Sequence, residues 1–276
     1  MKKTVVTADG TFFSDTAPIQ GSYEKVFKKA ADTGFDAVQI TVDRAEAVPV
    51  RELISLCEKY GLQISAMATG RIYSVFGYSL GMEDEKRRRV AVSMMNELSD
   101  VASKLGACGF TPYLIVGAVR GKFKDASSPE IFMKQFHKSM DEVVSYAASR
   151  GVTVIIEAIE TQESEAYRDI TETAEYIRAM KTPYLKLQID TMHMRRESQS
   201  FNQVIAAGDV LVQTDLSGDE RRCPADDDYD YQGLIRTLKE IDYQGWLTFE
   251  YRSDKRPDAA EAGYEFIDKL IKEKKS

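Results

Sequence analysis

The chain has 276 residues, 43% hydrophobic and 29% charged, an ordinary globular composition with length enough to bury a core without disulfide staples. Its formal net charge of −7, with Lys and Arg spread along the chain, argues against a nucleic-acid partner, and no run approaches the roughly 18–20 apolar residues of a membrane span. Cys57, Cys108 and Cys223 stand far apart without CxxC spacing, against a structural zinc site or a disulfide framework, and without a signal-like apolar start the expected location is cytoplasmic.

Short β-branched runs alternate with helical patterns from end to end. Strands are predicted at 4–8 (TVVTA), 37–42 (AVQITV), 63–69 (QISAMAT), 113–119 (YLIVGAV), 152–159 (VTVIIEAI), 185–190 (LKLQID), 210–216 (VLVQTDL) and 246–251 (WLTFEY). Between them YEKVFKKAADTG, VRELISLCEKYG and MKQFHKSMDEVVSYAASRG read as helices, each stopping at a glycine. The longest helical segment runs from about 84 to 104. The stretch GRIYSVFGYSLGME (70–83) reads as the longest structureless loop after a strand, a lid or substrate wall. The basic runs KRRR (86–89) and KEKK (272–275) read as solvated helix faces, and His137 as a structural or exposed helix residue. Eight strand–helix units in this length predict a single-domain (β/α)8 TIM barrel over 1–276. The rival, a doubly wound open sheet, would normally show a glycine-rich turn after its first strand, and TADGTFFSD lacks the GxGxxG spacing.

Barrel chemistry sits at the carboxyl ends of the strands. Read only there, strand five offers Glu157, strand six Asp190 and His193, strand seven Asp215 with Arg221 on its loop, and strand eight Glu250. One acid at a strand end is ordinarily a helix cap or a salt-bridge partner. Four in register in a low-dielectric mouth would repel one another unless protonated or neutralised, and a divalent cation neutralises them. All-oxygen ligation points to a hard ion, Mn²⁺ first and Mg²⁺ or Co²⁺ after it, rather than Zn²⁺.

LQIDTMHM resembles the DTxHM segment of the sugar and sugar-phosphate isomerase/epimerase superfamily with a xylose-isomerase-like barrel, and within it most nearly the ketose 3-epimerases of tagatose, allulose and 5-keto-gluconate type. The resemblance runs through nearly the whole chain. AMATGRIYSVFGYSL is similar to that family's third strand and loop, DVASKLGA to its third helix and LIVGAVRG to its fourth strand. VIIEAIETQES is similar to the segment bearing a metal-binding glutamate with a second glutamate six residues on, and DERRCP with DYQGLIRTLKEIDYQGWLTFEY to the stretch from the seventh strand's loop through the eighth strand. The resemblance implies a metal held by Glu157, Asp190, Asp215 and Glu250, with Glu163, His193 and Arg221 on substrate. It also exposes a departure: nine residues before Pro224 the family carries histidine and this chain carries Asp215, and the triple acid Asp226-Asp227-Asp228 is unusual.

The expected activity is therefore metal-dependent epimerisation or isomerisation of a ketose or keto-sugar acid, with Glu157 and Glu250 as acid and base on opposite faces of the sugar. Tyr73 and Phe76 are expected as apolar walls. Arg120 is expected either to face an anionic substrate group such as a carboxylate or to form a surface or inter-strand salt bridge. With no glycine-rich phosphate cradle after strands seven or eight, an unphosphorylated sugar or keto-acid is expected. A lyase or dehydratase on a keto-sugar or inosose, and a non-catalytic sugar-binding barrel, remain the alternatives. Phe76 and Tyr78, as apolar loop residues, suggest a homo-oligomer, dimer or tetramer.

Overall fold

A computed structural model describes residues 1–9, 16–254 and 256–273. Its centre is a closed barrel of parallel strands: β1 (Lys2–Ala8), β2 (Ala37–Thr41), β3 (Gln63–Ala68), β4 (Tyr113–Val116), β5 (Val154–Ala158), β6 (Leu185–Asp190), β7 (Leu211–Leu216) and β8 (Trp246–Phe249). Each pairs with the next, and β1 closes on β8 in the register Lys2↔Trp246 to Val5↔Phe249. All eight fall inside or overlap the predicted segments. A two-residue strand, Ile19–Gln20, also pairs with β1; it is too short for any periodicity to announce.

The outer layer is α1 (Tyr23–Thr33), α2 (Val50–Tyr60), α3 (Glu85–Leu105), α4 (Pro129–Ser149), α5 (Ile170–Ala179), α6 (Phe201–Ala206), α7 (Tyr231–Glu240) and α8 (Ala259–Lys272). The helix stops work as read: Gly34 and Gly61 follow α1 and α2 with φ of 101° and 67°, a left-handed turn that costs glycine little. Asp84 caps α3 by accepting from the amides of Lys86 and Arg87. Among the described residues no helix is long and apolar enough to cross a membrane, and the three cysteines are free.

Strand alternation sorts the side chains. On β6, Leu185, Leu187 and Ile189 join the core between sheet and helices, so Gln188 and Asp190 face the barrel interior. Inside, Ala66, Ile115 and Ile155 form a small apolar cluster. Beside it a polar chain runs from Gln39 to Gln213 to Asp215, all three buried.

Three surface readings need correction. The run 86–89 is not a uniformly solvated face: Arg88 is 1% exposed and donates to Glu85, to Ser139 Oγ (2.7 Å) and to Glu142 (2.9 Å), clamping α3 to α4. The stretch 70–83 is not structureless: it opens with a helical turn, Arg71–Ser74, and buries Ser79 and Leu80. Phe76 and Tyr78 are half-buried under guanidinium groups, Arg44 at 5.7 Å and Arg87 at 5.6 Å from the ring centres, so they are not the open apolar surface that suggested an oligomer. Residues 10–15 of the TADGTFFSD turn and the end of KEKK lie outside the described residues.

Arg120 is corrected as well. It is fully buried, and every bond it makes goes to a backbone carbonyl: Gly117 (3.1 Å), Val116 (2.9 Å), Ala166 (2.8 Å), Tyr167 (3.2 Å) and, at closer range, Glu157. Such a guanidinium has no face left for a substrate anion. It ties the end of β4 to β5 and to the loop beyond, holding Glu157 from behind. Burial pulls its pKa down to about 10, still high enough to keep the charge at neutral pH. Arg120→Met should strand these carbonyls and cost roughly 3 kcal/mol or more in urea-denaturation stability; a loss under about 1 kcal/mol would contradict the clamp.

Candidate metal centre

The barrel register brings the four acids of β5 to β8 to one mouth. Asp190 pairs with Asp215, Asp215 pairs with Thr248, and Glu250 follows two residues on, on the same face. One carboxylate oxygen from each of Glu157, Asp190, Asp215 and Glu250 lies within 4.8 Å of the others. Oxygen ligands at about 2.1 Å from an octahedral ion stand about 4.2 Å apart when opposite. The cluster is thus close to the size of a coordination shell, and its donors suit a hard divalent ion.

Each acid is positioned by identifiable partners. Asp190 Oδ1 caps the short helix Thr191–Arg196, accepting from the amides of Met192 (2.7 Å) and His193 (3.4 Å), and Oδ2 accepts from Arg221 Nη1 at 2.5 Å. Asp215 accepts the side-chain amides of Gln188 and Gln213, one on each oxygen, both at 3.0 Å. Glu157 has room because residue 117 is glycine: a Cβ there would stand 2.9 Å from Glu157 Oε2. Glu250 Oε2 accepts from Arg221 Nη1 at 3.1 Å.

Arg221 reaches the cluster from a contorted loop. Glu220 and Arg221 both take left-handed backbone angles, φ of 53° and 58°, uncommon for residues with side chains and a frequent mark of functional loops. Asp227, the middle of the triple acid, braces this loop by accepting from the amides of Asp219 (3.1 Å) and Tyr229 (3.0 Å) and from Arg195 (3.3 Å). Its neighbours face outward to salt bridges, Asp226 with Arg256 and Asp228 with Arg195.

Burial and crowding dominate the electrostatics. Glu157 is pushed up to about 8, first by burial and then by the charges of Glu250 and Asp190. Asp215 rises well above the usual carboxylate range, first by burial and then by the charges of Glu250, Glu157 and Asp190. Glu250 also rises through burial, although Arg221 pulls against the shift. Burial opposes the charge of Arg221 as well, but Asp190, Glu250 and Glu157 outweigh it and raise its pKa. With all four acids ionised, one guanidinium still leaves the mouth strongly negative.

His193 is 2% exposed, and burial lowers its pKa to about 4, so it is a neutral imidazole near pH 7. A guanidinium can only donate, so the 3.3 Å contact from Arg221 Nη2 makes His193 Nε2 the acceptor and assigns the proton to Nδ1. Nδ1 points toward Glu160, 3.7 Å away, and Nε2 lies 3.8 Å from Glu157.

The acid beside His193 is therefore Glu160. Glu160 is 4% exposed and is held by Arg196 at 2.8 Å, whereas Glu163 is exposed and bonded through its amide to the Glu160 carbonyl. The structure does not bring Glu163 to the cluster, and the only sequence signal for Glu160 was an acid three residues past Glu157. Gln188, Gln213 and Gly117 also escaped the sequence reading, because interior amides and missing side chains carry no motif. Tyr73 and Phe76 stand on the loop after β3, where the Tyr73 hydroxyl donates to Asp125 at 3.1 Å. His137 lies 2.6 Å from the Tyr167 hydroxyl on α4, away from the mouth, as a structural histidine.

Known proteins share this fold. The chain is 25% identical over 234 residues to an L-ribulose 3-epimerase of Methylomonas sp. (strain DH-1), covering 82% of this chain and 77% of that one. It is 22% identical to a ketose 3-epimerase of Arthrobacter globiformis, with 81% and 75% covered. Among solved structures, a 3-keto-D-glucoside 4-epimerase from E. coli superposes with a TM-score of 0.79 at 17% identity over 98% of this chain and 100% of that one. A D-psicose 3-epimerase from Clostridium cellulolyticum H10 does so with 0.79 at 17% identity, over 97% and 99%. Residues 27–270 match the family model described as the xylose isomerase-like TIM barrel, and the chain belongs to that family.

Proposed function

We propose that the protein is a divalent-metal-dependent epimerase of a ketose or keto-sugar acid, moving a proton on the carbon beside the carbonyl. The observation that carries this reading is the four-acid mouth, with one oxygen from each acid within 4.8 Å of the rest. The relatives named as sugar 3-epimerases and 4-epimerases support it.

Glu157, Asp190, Asp215 and Glu250 would hold the ion, Mn²⁺ by preference. Once bound, it supplies Lewis-acid stabilisation of the charge that develops on the sugar oxygens as the proton leaves. The remaining work belongs to the chain. Glu157 on β5 and Glu250 beyond β8 flank the mouth from two sides, each with a second carboxylate oxygen to take or return a proton. Cationic Arg221 offers donors toward the same oxygens, while neutral His193, its proton on Nδ1 toward Glu160, presents Nε2 as an acceptor that holds Arg221. Asp215 adds an anion where this family's epimerases were expected to carry histidine, which favours a hard, strongly bound cation over Zn²⁺.

In D₂O with Mn²⁺, a substrate ketose should gain one solvent deuterium per epimerisation, read by mass spectrometry. Glu157→Gln and Glu250→Gln should each slow that exchange about 100-fold or more. Release of water from the sugar instead of deuterium gain would favour a dehydratase, and full activity in either variant would remove that residue from proton transfer.

The site also sets a pH signature. Folding raises the pKa of Glu157 from 4.5 to about 8, so its protonated form is favoured, and this stabilisation is complete below pH 4.5 and lost as pH rises through 8. Without metal, the Tm of the native protein minus that of Glu157→Gln should therefore fall steadily from pH 4.5 to 8. Saturating Mn²⁺ should raise the native Tm by an increment that grows over the same range. A flat difference curve with no Mn²⁺ shift would contradict the site.

A further inference from the structure

Beside the carboxylate cluster, the loops after β7 and β8 enclose a second cavity of about 180 Å³. Four arginines line it, Arg221, Arg222, Arg252 and Arg256, against three carboxylates. Three of these, Arg222, Arg252 and Arg256, stand outside the carboxylate cluster, so the cavity sets guanidinium donors beside a mouth of carboxylate acceptors. Arg221 belongs to both, since its head lies against Asp190 and Glu250 while the residue also lines the cavity. The Arg252 amide donates to the Arg221 carbonyl at 2.8 Å, stitching the two loops into one wall.

Arg256 and Arg222 have donors to spare among the described residues. Arg256 spans Asp226 (2.5 Å) and Asp258 (3.1 Å) through Nη1 and Nε, which leaves Nη2 without a partner among the described residues. Arg252 is forked on Asp254 at 3.0 and 3.1 Å. The exposed side chain of Arg222 makes no hydrogen bond or salt bridge among the described residues. A planar guanidinium anchored on one edge presents its other edge for carboxylate or phosphate oxygens.

The position matters as much as the charge. In barrel enzymes the loops after the seventh and eighth strands are a recurrent place to hold phosphate, ordinarily with backbone amides. Here arginine side chains occupy that place, so the lack of a glycine-rich run does not argue against a phosphorylated substrate. We propose that this cavity is a subsite for an anionic substituent, a carboxylate or a phosphate, at the far end of the ketose whose carbonyl end lies among the four acids. The inference rests on the epimerase reading and narrows its substrate to charged ketoses.

Two measurements test it. Calorimetric titration with inorganic phosphate needs no turnover, so it judges the subsite even if the epimerase reading fails. Native protein should bind phosphate. Arg222→Gln and the double variant Arg222→Gln/Arg256→Gln should weaken that binding at least tenfold, while Arg178→Gln, which alters a distant pair with Asp209, should not. Arg222 makes no side-chain hydrogen bond or salt bridge among the described residues, so its single variant keeps the test valid if the double variant folds poorly. In the second arm, kcat/KM is compared for D-fructose, D-fructose 6-phosphate and D-fructuronate. A charged ketose should be favoured, and its advantage over D-fructose should fall at least tenfold in the arginine variants. The favoured one tells phosphate from carboxylate. Phosphate binding that is absent, or that survives both variants, overturns the subsite, as does a preference for neutral D-fructose.

Discussion

Four carboxylates crowded into one end of a closed barrel repel one another, and much of the local structure exists to hold them there. Burial first, and this repulsion after it, drive the upward shifts of Glu157, Asp215 and Glu250. Several devices oppose it. Arg221 puts positive charge against two of the acids, two glutamine amides bind both oxygens of Asp215, and helix amides hold Asp190. None of these matches the charge fully. The remaining negative charge is what makes the mouth a place for a divalent ion on the proposed reading, and what makes Asp215 more than a neutral replacement for a histidine.

Arg221 connects the two halves of the account. Its left-handed backbone and that of Glu220 are held by Asp227, itself fixed by Arg195 and the amides around it. Gly218 makes room for that brace, since a Cβ there would stand 2.6 Å from the Asp227 carboxyl carbon. The loop therefore delivers Arg221 to the acids and Arg222 to the cavity beside them, where Arg252 and Arg256 arrive from the loop after β8. A ketose with a charged tail would meet guanidinium donors at that tail and the carboxylate-held ion at its carbonyl end.

Much of the fold was legible in the sequence because parallel barrel strands announce themselves by short β-branched runs at even spacing. The acids at their ends were legible too, because an ionisable group after Ile155-Ile156 or Leu187-Gln188-Ile189 conflicts with the burial of its neighbours. Loop residues were harder. Glu163 matched the spacing that the family resemblance implies, but the chain turns so that Glu160 enters the interior, and a spacing rule does not see the turn. Arg120 looked like an anion binder because its five carbonyl partners belong to three separate segments. Arg88 was hidden in a charge run for the same reason: its partners lie 51 and 54 residues away, on α4.

The central claim is that Glu157, Asp190, Asp215 and Glu250 together hold one divalent ion. Crystals grown with Mn²⁺ and measured at the manganese absorption edge test it most directly. The account predicts a single strong anomalous peak per chain, at about 2.0–2.4 Å from an oxygen of each of the four acids. A peak elsewhere, or a mouth filled only by the Arg221 guanidinium at saturating Mn²⁺, would contradict it.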